Sequence, residues 1–383
     1  MRVAVFGAGY AGVPLVRKLE STLPPEDEIV VVDESDVHVV RHEVHRVIRR
    51  PSVADDISVP LEDLFDRAEH RQARVEDIDT DAQIATLEGN GELHYDAGAI
   101  CLGVETEFYD LPGVREHATP LRTIEHSQQI RGDFLEVVDG GGGEVVVGGA
   151  GLSGIQVAGE IAALAEEEGV SETVQIRLLE QADTIAPSFP EDIKGPLVEE
   201  LEKRGIVVET GVQVESADES TITMADGQTQ DYDQFVWTGG VRGTDSLEGT
   251  RPIVQSTLQL SDRTFALGDA ARVIDEDGQA APATAHTAVR QAPVAAENIR
   301  KLLAHERGSG GFEPRLSRYQ YDQLGWLVSV GNGAVAKVGP KVLRGPAAYA
   351  VKSSVGAGYL TSVGSVQKAV DLVREEFGLA TES

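Results

Sequence analysis

Val3-Ala4-Val5-Phe6-Gly7-Ala8-Gly9-Tyr10-Ala11-Gly12, at the start of a 383-residue chain, is the stretch that decides the fold. Four apolar residues with no polar alternation describe a strand covered on both faces. The strand empties into a GxGxxG turn, and apolar residues at Val16, Leu19 and Leu23 then trace a helix that Pro24-Pro25 stops. A second apolar run over residues 29–32 ends at Asp33, 21 residues after Gly12. Strand, glycine turn, helix, strand and terminal acid together make a dinucleotide-binding unit. Gly7 permits the tight turn, Gly9 lets a pyrophosphate approach the backbone, and Gly12 lets helix and strand pack closely. The helix N-terminus supplies N–H groups and a positive dipole, and Asp33 can accept from a ribose hydroxyl.

The pattern recurs. Residues 144–148 form a strand leading into Gly149-Ala150-Gly151-Leu152-Ser153-Gly154, an alanine-rich helix is predicted over 155–168, and residues 174–179 run to Glu180. Glu180 lies 26 residues after Gly154, with the turn 169–172 taking up the extra length. Two complete units imply two nucleotides. Gln181 and Ala182 follow Glu180, so no cation meets a 2′-phosphate there, and NADH is expected over NADPH. A flavin in one site and a nicotinamide in the other makes a redox relay. The fold class expected is α/β, with two Rossmann-like domains and a C-terminal α+β region.

Composition narrows the rest. Hydrophobic residues at 41% exclude intrinsic disorder, and the single cysteine, Cys101, excludes a disulfide scaffold. A net charge of −31 argues against nucleic acid, whose phosphates it would repel. The cations are 8 Lys against 25 Arg, and the acids are spread along the whole chain. Such acidity suits a salt-rich cytosol, because at about 1 M the Debye length is only ~3 Å. A halophilic host is the expectation. Met1-Arg2 and the apolar run after it mimic a signal peptide, but strand, turn and helix explain those residues better. The longest uncharged run near the C-terminus, residues 353–367, is shorter than a membrane span.

Further along, the residues resemble the two-dinucleotide flavoprotein reductases, and within them the type II, non-proton-pumping NADH:quinone dehydrogenases. The resemblance spans residues 2–364. Residues 33–65 resemble the segment after the second strand that lies along the flavin. Tyr95-Asp96 and Ala99-Ile100-Cys101-Leu102-Gly103 are similar to the motif returning the chain to the FAD domain. Leu111-Pro112-Gly113-Val114 with Arg122-Thr123, and Phe235-Val236-Trp237-Thr238-Gly239-Gly240-Val241-Arg242, resemble the lead-in to and exit from the NADH domain. Thr264-Phe265-Ala266-Leu267-Gly268-Asp269 is similar to the second FAD signature, whose aspartate bonds the ribityl chain.

The resemblance implies that Gly7, Gly9, Gly12, Asp33, Gly103, Gly268 and Asp269 hold FAD, and that Gly149, Gly151, Gly154, Glu180 and Gly239 hold NADH. It implies an enzyme in which NADH sets C4 against flavin N5 across an interdomain cleft, with electrons passing to a quinone or other acceptor by a ping-pong route. On the helix under the flavin ring, where the family carries an Ala-Gln and a Gln-Gln pair, this chain reads Ala285-His286-Thr287-Ala288-Val289-Arg290-Gln291. After the second glycine turn the family has two glutamates four apart; here Gln156 takes the first place and Glu160 keeps the second. Glu160, His286, Arg290 and Gln291 are therefore the catalytic candidates. His286 could deliver a proton and Arg290 could stabilise an anionic reduced species, or pair with an acidic neighbour. Glu160 could contact the nicotinamide edge, or be an exposed helix residue.

Sister families need a redox-active cysteine pair, so they are excluded by Cys101 standing alone, read here as a core thiol. His38, His42 and His45 would share one helix face, where surface or flavin-lining roles outweigh a metal site. The expected division is 1–112 for the first part of the FAD domain, 113–241 for the NADH domain, 242–311 for the rest of the FAD domain, and 312–383 for a C-terminal region. That region has alternating strands over 326–330 and 334–338, then a helix carrying Val366, Ala369, Val370, Val373 and Phe377 on one stripe. In the family it contacts acceptor and membrane or forms a homodimer, and Tyr349, Tyr359 and Leu360 are the interfacial candidates. A cytoplasmic protein follows, with peripheral attachment to the cytoplasmic face left open. The residues also leave open a reductase of a protein or small-molecule acceptor, and a non-catalytic FAD- and NADH-binding redox sensor.

Overall fold

Apolar strands at the start of each predicted unit become the centres of two parallel sheets in the computed structural model, which describes residues 1–89, 91–308, 312–323, 325–362 and 364–376. The fold class is α/β. The chain divides into two compact units, the first made of Met1–Val39, Ser58–Glu105 and Arg242–Gln323, the second of Val40–Ile57, Thr106–Val241 and Leu324–Ser383.

In the first unit, parallel strands lie in the order Thr264–Ala266, Ala97–Ile100, Arg2–Phe6, Glu28–Asp33, Glu69–Gln72. Val3, Ala4, Val5 and Phe6 are fully buried, as the unbroken apolar run predicts for a strand with cover on both faces. The helices Gly12–Thr22 and Ala285–Arg307 pack together beside that sheet. Strand order reverses on either side of Arg2–Phe6, and such a reversal opens a crevice at the carboxyl ends of the strands. An antiparallel meander, Val75–Asp79, Ile84–Leu87 and Gly91–His94, precedes the strand Ala97–Ile100.

The second unit repeats the scheme with the order Thr119–Pro120, Gln234–Trp237, Gly143–Gly148, Val174–Glu180, Ile206–Thr210. The helix predicted over 155–168 runs Leu152–Glu167, and its Ile155, Val157, Ala158 and Ile161 are fully buried. An antiparallel sheet of Gly325–Val330, Gly333–Val338 and Lys341–Arg344, then the helices Pro346–Ser362 and Val366–Glu376, also belong to this unit.

Several expectations change here. Residues 33–65 do not run as one segment: Val37–Val39 pairs with Ser58–Pro60 in the first unit, while residues 40–57 belong to the second. His38 is therefore on a strand, while His42 and His45 are on the 3-10 helix Arg41–Ile48, so the three share no helix face. Residues 312–323 group with the first unit, whose opening part ends at Glu105 rather than at residue 112, while the later boundary falls between Val241 and Arg242, where the expected division also put it. On the last helix Ala369 and Leu372 are buried whereas Val370 is 40% exposed, so the apolar stripe is rotated from the predicted one. Leu360 is fully buried inside its own unit and offers no outward surface. The Tyr349 side chain, the Val366 side chain and Phe377 lie outside the described residues. No described helix is long and apolar enough to cross a membrane.

Candidate functional site

The two glycine turns are built alike, bond for bond. In the first, Gly7 has φ +101°, and a Cβ there would meet the Cys101 carbonyl oxygen at 2.4 Å. A Cβ on Gly12 would lie 1.9 Å from the Gly7 carbonyl oxygen, so strand and helix touch backbone to backbone. Gly9 has nothing within 4 Å of its Cβ position, leaving the room a pyrophosphate needs. Asp33 accepts from the Ala8 amide at 2.6 Å with one oxygen and from the Ser35 amide at 2.9 Å with the other. His38, buried, donates from Nδ1 to the Ala8 carbonyl at 2.9 Å, and its ring meets Tyr10 edge-on.

The second signature closes on the first. Gly268 has φ +66°, and a Cβ on it would fall 3.0 Å from the Ala11 Cβ and 3.3 Å from that of Ala288. Its amide donates to Gln291 Oε1 at 2.7 Å, inside the protein. Arg251 donates to the carbonyls of Asp269 at 2.7 Å and Ala271 at 2.9 Å, fixing the turn on its other side. Gly103 is left-handed at φ +74° beyond the strand Ala97–Ile100. A free glycine face, an acid at the end of the second strand and a bracketed second turn fit an FAD.

The second cradle has the same parts. Gly149 has φ +98° and its Cβ position lies 2.8 Å from Gly239 Cα; Gly154 meets the Gly149 carbonyl oxygen at 1.8 Å; Gly151 is open. Glu180 accepts from the Ala150 amide and from the Ala182 amide, both at 2.9 Å. Thr238 donates to the carbonyls of Gly148 and Gly149 at 3.0 and 2.8 Å, binding the last strand to the turn. These residues fit a nicotinamide dinucleotide.

Of the four catalytic candidates, His286, Arg290 and Gln291 belong to the first unit, and the first two meet at Asp322. Thr284 caps the helix Ala285–Arg307, accepting from the Thr287 amide at 3.2 Å, and so sets His286 in the first turn. His286 Nε2 lies 3.2 Å from the Asp322 carbonyl oxygen, and Arg290 Nη1 lies 3.2 Å from the Asp322 carboxylate. Arg290 thus has an acidic neighbour, exposed to solvent on both sides of the pair. Gln291 faces the other way, into the core and the Gly268 turn. Glu160 belongs to the second unit; it is 1% exposed rather than a surface residue, and its carboxylate lies 3.0 Å from Arg49 Nε.

Residues 1–292 match the family described as pyridine nucleotide-disulphide oxidoreductase. The chain belongs to that family. Type II NADH:quinone oxidoreductases of Staphylococcus aureus, from strains bovine RF122 / ET3-1 and MSSA476, are 27% identical over 397 residues, covering 95% of this chain and 96% of theirs. Among solved structures, NDH2 from Plasmodium falciparum in complex with NADH superposes with a TM-score of 0.84 at 14% identity, covering 99% of both chains. The sulfide:quinone oxidoreductase from Aquifex aeolicus gives 0.78 at 18% identity, covering 99% of this chain and 96% of that one. These two likenesses are of fold.

Within the pyridine nucleotide-disulphide oxidoreductase fold this chain places no cysteine pair beside a nucleotide. Cys101 is buried, and that burial raises its thiol pKa, leaving an inert core group. What sequence reasoning missed is a buried polar cluster in the second unit. Glu43 and Arg46 meet at 3.2 Å, His42 lies 3.5 Å from the same carboxylate, and Lys352 is buried nearby. Burial alone would raise the Glu43 pKa; His42, Arg46, Lys352 and His45 outweigh it and hold the carboxyl at about 2. His45 bonds Ser329 at 2.9 Å, and Gln156 donates to the same hydroxyl at 3.2 Å. Burial first, then the charge of Lys352, holds His45 well below the ordinary histidine range. No signal in one sequence could pair Glu43 with Lys352. The bonds of Thr238 to the second glycine turn were findable, since it stands beside a motif that the sequence makes plain.

Proposed function

We propose that the chain is a type II NADH:quinone oxidoreductase: it oxidises NADH and reduces a quinone, with FAD as its resident cofactor. The observation that carries this reading is the bond-for-bond likeness of two dinucleotide cradles in one chain, each closed by a carboxylate on its own glycine turn. The full-length relatives bearing that name support it. Bound FAD supplies a two-electron acceptor for hydride from NADH and a donor for a quinone.

The protein's part is binding, orientation and electrostatics. Open Gly9 and the amides of the helix Gly12–Thr22 receive one pyrophosphate, and Asp33 takes the ribose beyond it. Gln291 and Arg251 fix the Gly268-Asp269 turn from opposite sides. Gly151 and Glu180 do for NADH what Gly9 and Asp33 do for FAD, and the absence of a cation at Gln181 and Ala182 disfavours a 2′-phosphate. His286 is the group on this chain for returning a proton to a reduced acceptor, and Arg290 the one for steadying negative charge. Glu160, held by Arg49, offers a carboxylate of fixed orientation in the NADH-binding unit.

A quinone dissolved in lipid would be met at a membrane face, where Val355 and Val370, 47% and 40% exposed on the C-terminal helices, are the apolar groups to touch it. A respiratory role at the cytoplasmic face belongs to the same reading, as does a salt-rich host for a chain of charge −31. Steady-state NADH oxidation in molar KCl, with short-chain menaquinone and ubiquinone analogues against ferredoxin-type acceptors, tests the reading. Turnover with a quinone is expected; turnover only with a protein acceptor would overturn the quinone half.

A further inference from the structure

A tight turn in the second unit presents a half-exposed aromatic ring, that of Tyr109. Leu111 N–H donates to the Phe108 carbonyl at 3.0 Å, and the two residues between them, Tyr109 and Asp110, are both left-handed at φ +55° and +52°. That pair of angles is the mirror-image type I′ turn, which Asn-Gly adopts without strain and a tyrosine does not. Strained backbone of this kind persists where the surroundings over-determine it, and it clusters at ligand sites. Here the surroundings are plain: Glu107 Oε1 accepts from the Tyr109 amide at 2.8 Å, Glu107 N–H donates to the Gly240 carbonyl at 3.0 Å, and Trp237 Nε1 donates to the Glu107 carbonyl at 2.7 Å.

The turn aims the Tyr109 side chain at the carboxyl end of the sheet. Its hydroxyl donates to the Gly239 carbonyl at 3.2 Å and lies against Gly240, where a Cβ would come within 2.2 Å of it. Gly239 in turn touches Gly149, the first glycine of the phosphate turn. Burial, then the charges of Glu107 and Glu180, raise the pKa of the phenol, so the ribose-binding carboxylate acts on this ring. Even so, 53% of Tyr109 is open to solvent, while Phe108 beside it is buried under Arg115.

We infer that Tyr109 is the aromatic wall of the adenosine half of the NADH site, its ring stacking on the purine while Glu180 takes the ribose. The position fits, because the crevice at the carboxyl ends of a doubly wound sheet places adenosine between the ends of the second and fourth strands of the unit. Those ends are Glu180 and Trp237, the latter followed by Gly239. The inference rests on the proposed NADH specificity and names a residue which that reading does not require.

Calorimetric titration of ADP-ribose into the purified flavoprotein tests it, with Tyr109→Phe and Tyr109→Gly beside the wild type. Glycine accepts the left-handed backbone, so the second variant removes the ring without adding strain. Tyr109→Phe should bind within about twofold of wild type, and Tyr109→Gly about tenfold more weakly, as loss of a base–aromatic stack predicts. Reduced nicotinamide mononucleotide, which lacks adenosine, should reduce the flavin equally well in all three proteins. ADP-ribose affinity unchanged in Tyr109→Gly, or an equal loss with the mononucleotide, would overturn the inference. A tenfold loss of ADP-ribose binding in a protein whose flavin NADH does not reduce would uphold the wall and overturn the catalytic reading instead.

Discussion

Glu43 shows how far a single residue can be read. In the sequence it is one acid in a run of histidines and arginines; in the fold it is a buried carboxylate ringed by His42, His45, Arg46 and Lys352, the last of them 309 positions away. Replacing it leaves buried cations without their counter-charge. Glu43→Gln should cost about 3–5 kcal/mol in chemical denaturation at neutral pH. The same cluster sets an acid response. The Glu43 carboxyl is lowered from 4.5 to about 2, so the unfolded chain takes up that proton first. Its contribution is complete above pH 4.5 and drains away as pH falls toward 2. Burial also lowers the pKa of His42 and His45 from 6.5, which removes stability as pH falls below 6.5. Unfolding midpoints at constant salt should therefore decline on acidification from neutrality, and Glu43→Gln should flatten the part of that decline below pH 4.5. A variant as acid-sensitive there as wild type would contradict the assignment. Asp33 and Glu180, by contrast, were legible from spacing alone, because their partners Ala8 and Ala150 sit in the same local unit.

At the scale of elements, what the sequence displays best is a strand followed by a glycine turn, and what it hides is packing between small residues. The helix Pro346–Ser362 is such a case: its Ala348 packs on Ala334 and Ala336 of the sheet beneath it. The helix Leu152–Glu167 makes a closer contact still. A Cβ on Gly159 would fall 2.6 Å from the Gly331 amide nitrogen and 2.7 Å from Val330 Cα, both backbone atoms that cannot turn aside. Gly159→Ala should cost about 1–3 kcal/mol and lower the urea midpoint with little change in slope. The Gly268 turn, proposed to hold FAD, rests on a buried hydrogen bond from another element. Gln291→Leu leaves the Gly268 amide buried without an acceptor, at about 1–3 kcal/mol. Recovery of flavin fluorescence on dilution should show faster FAD release from that variant than from wild type; equal release rates would remove Gln291 from the cofactor's support.

For the whole molecule, two facts bear on function. The family is settled by residues 1–292, and two cradles of the same construction stand in one chain. The acceptor was never legible in the same degree, because the positions that would choose it depart from the resembled pattern at Gln156, His286 and Arg290. The charge of −31 is a property of the chain as a whole. Self-repulsion of that size is relieved by salt, so the thermal midpoint should rise by at least ~5 °C between 0.1 and 2 M KCl. A midpoint indifferent to salt would count against a salt-rich host. The central claim is most directly met by an anaerobic single-turnover experiment on the flavoprotein in molar KCl. Mixing with NADH should bleach the visible flavin absorption, NADPH should do so at least ~10-fold less effectively, and a quinone analogue added afterwards should restore the colour. A flavin that NADH leaves oxidised, or that a quinone leaves reduced, would contradict it.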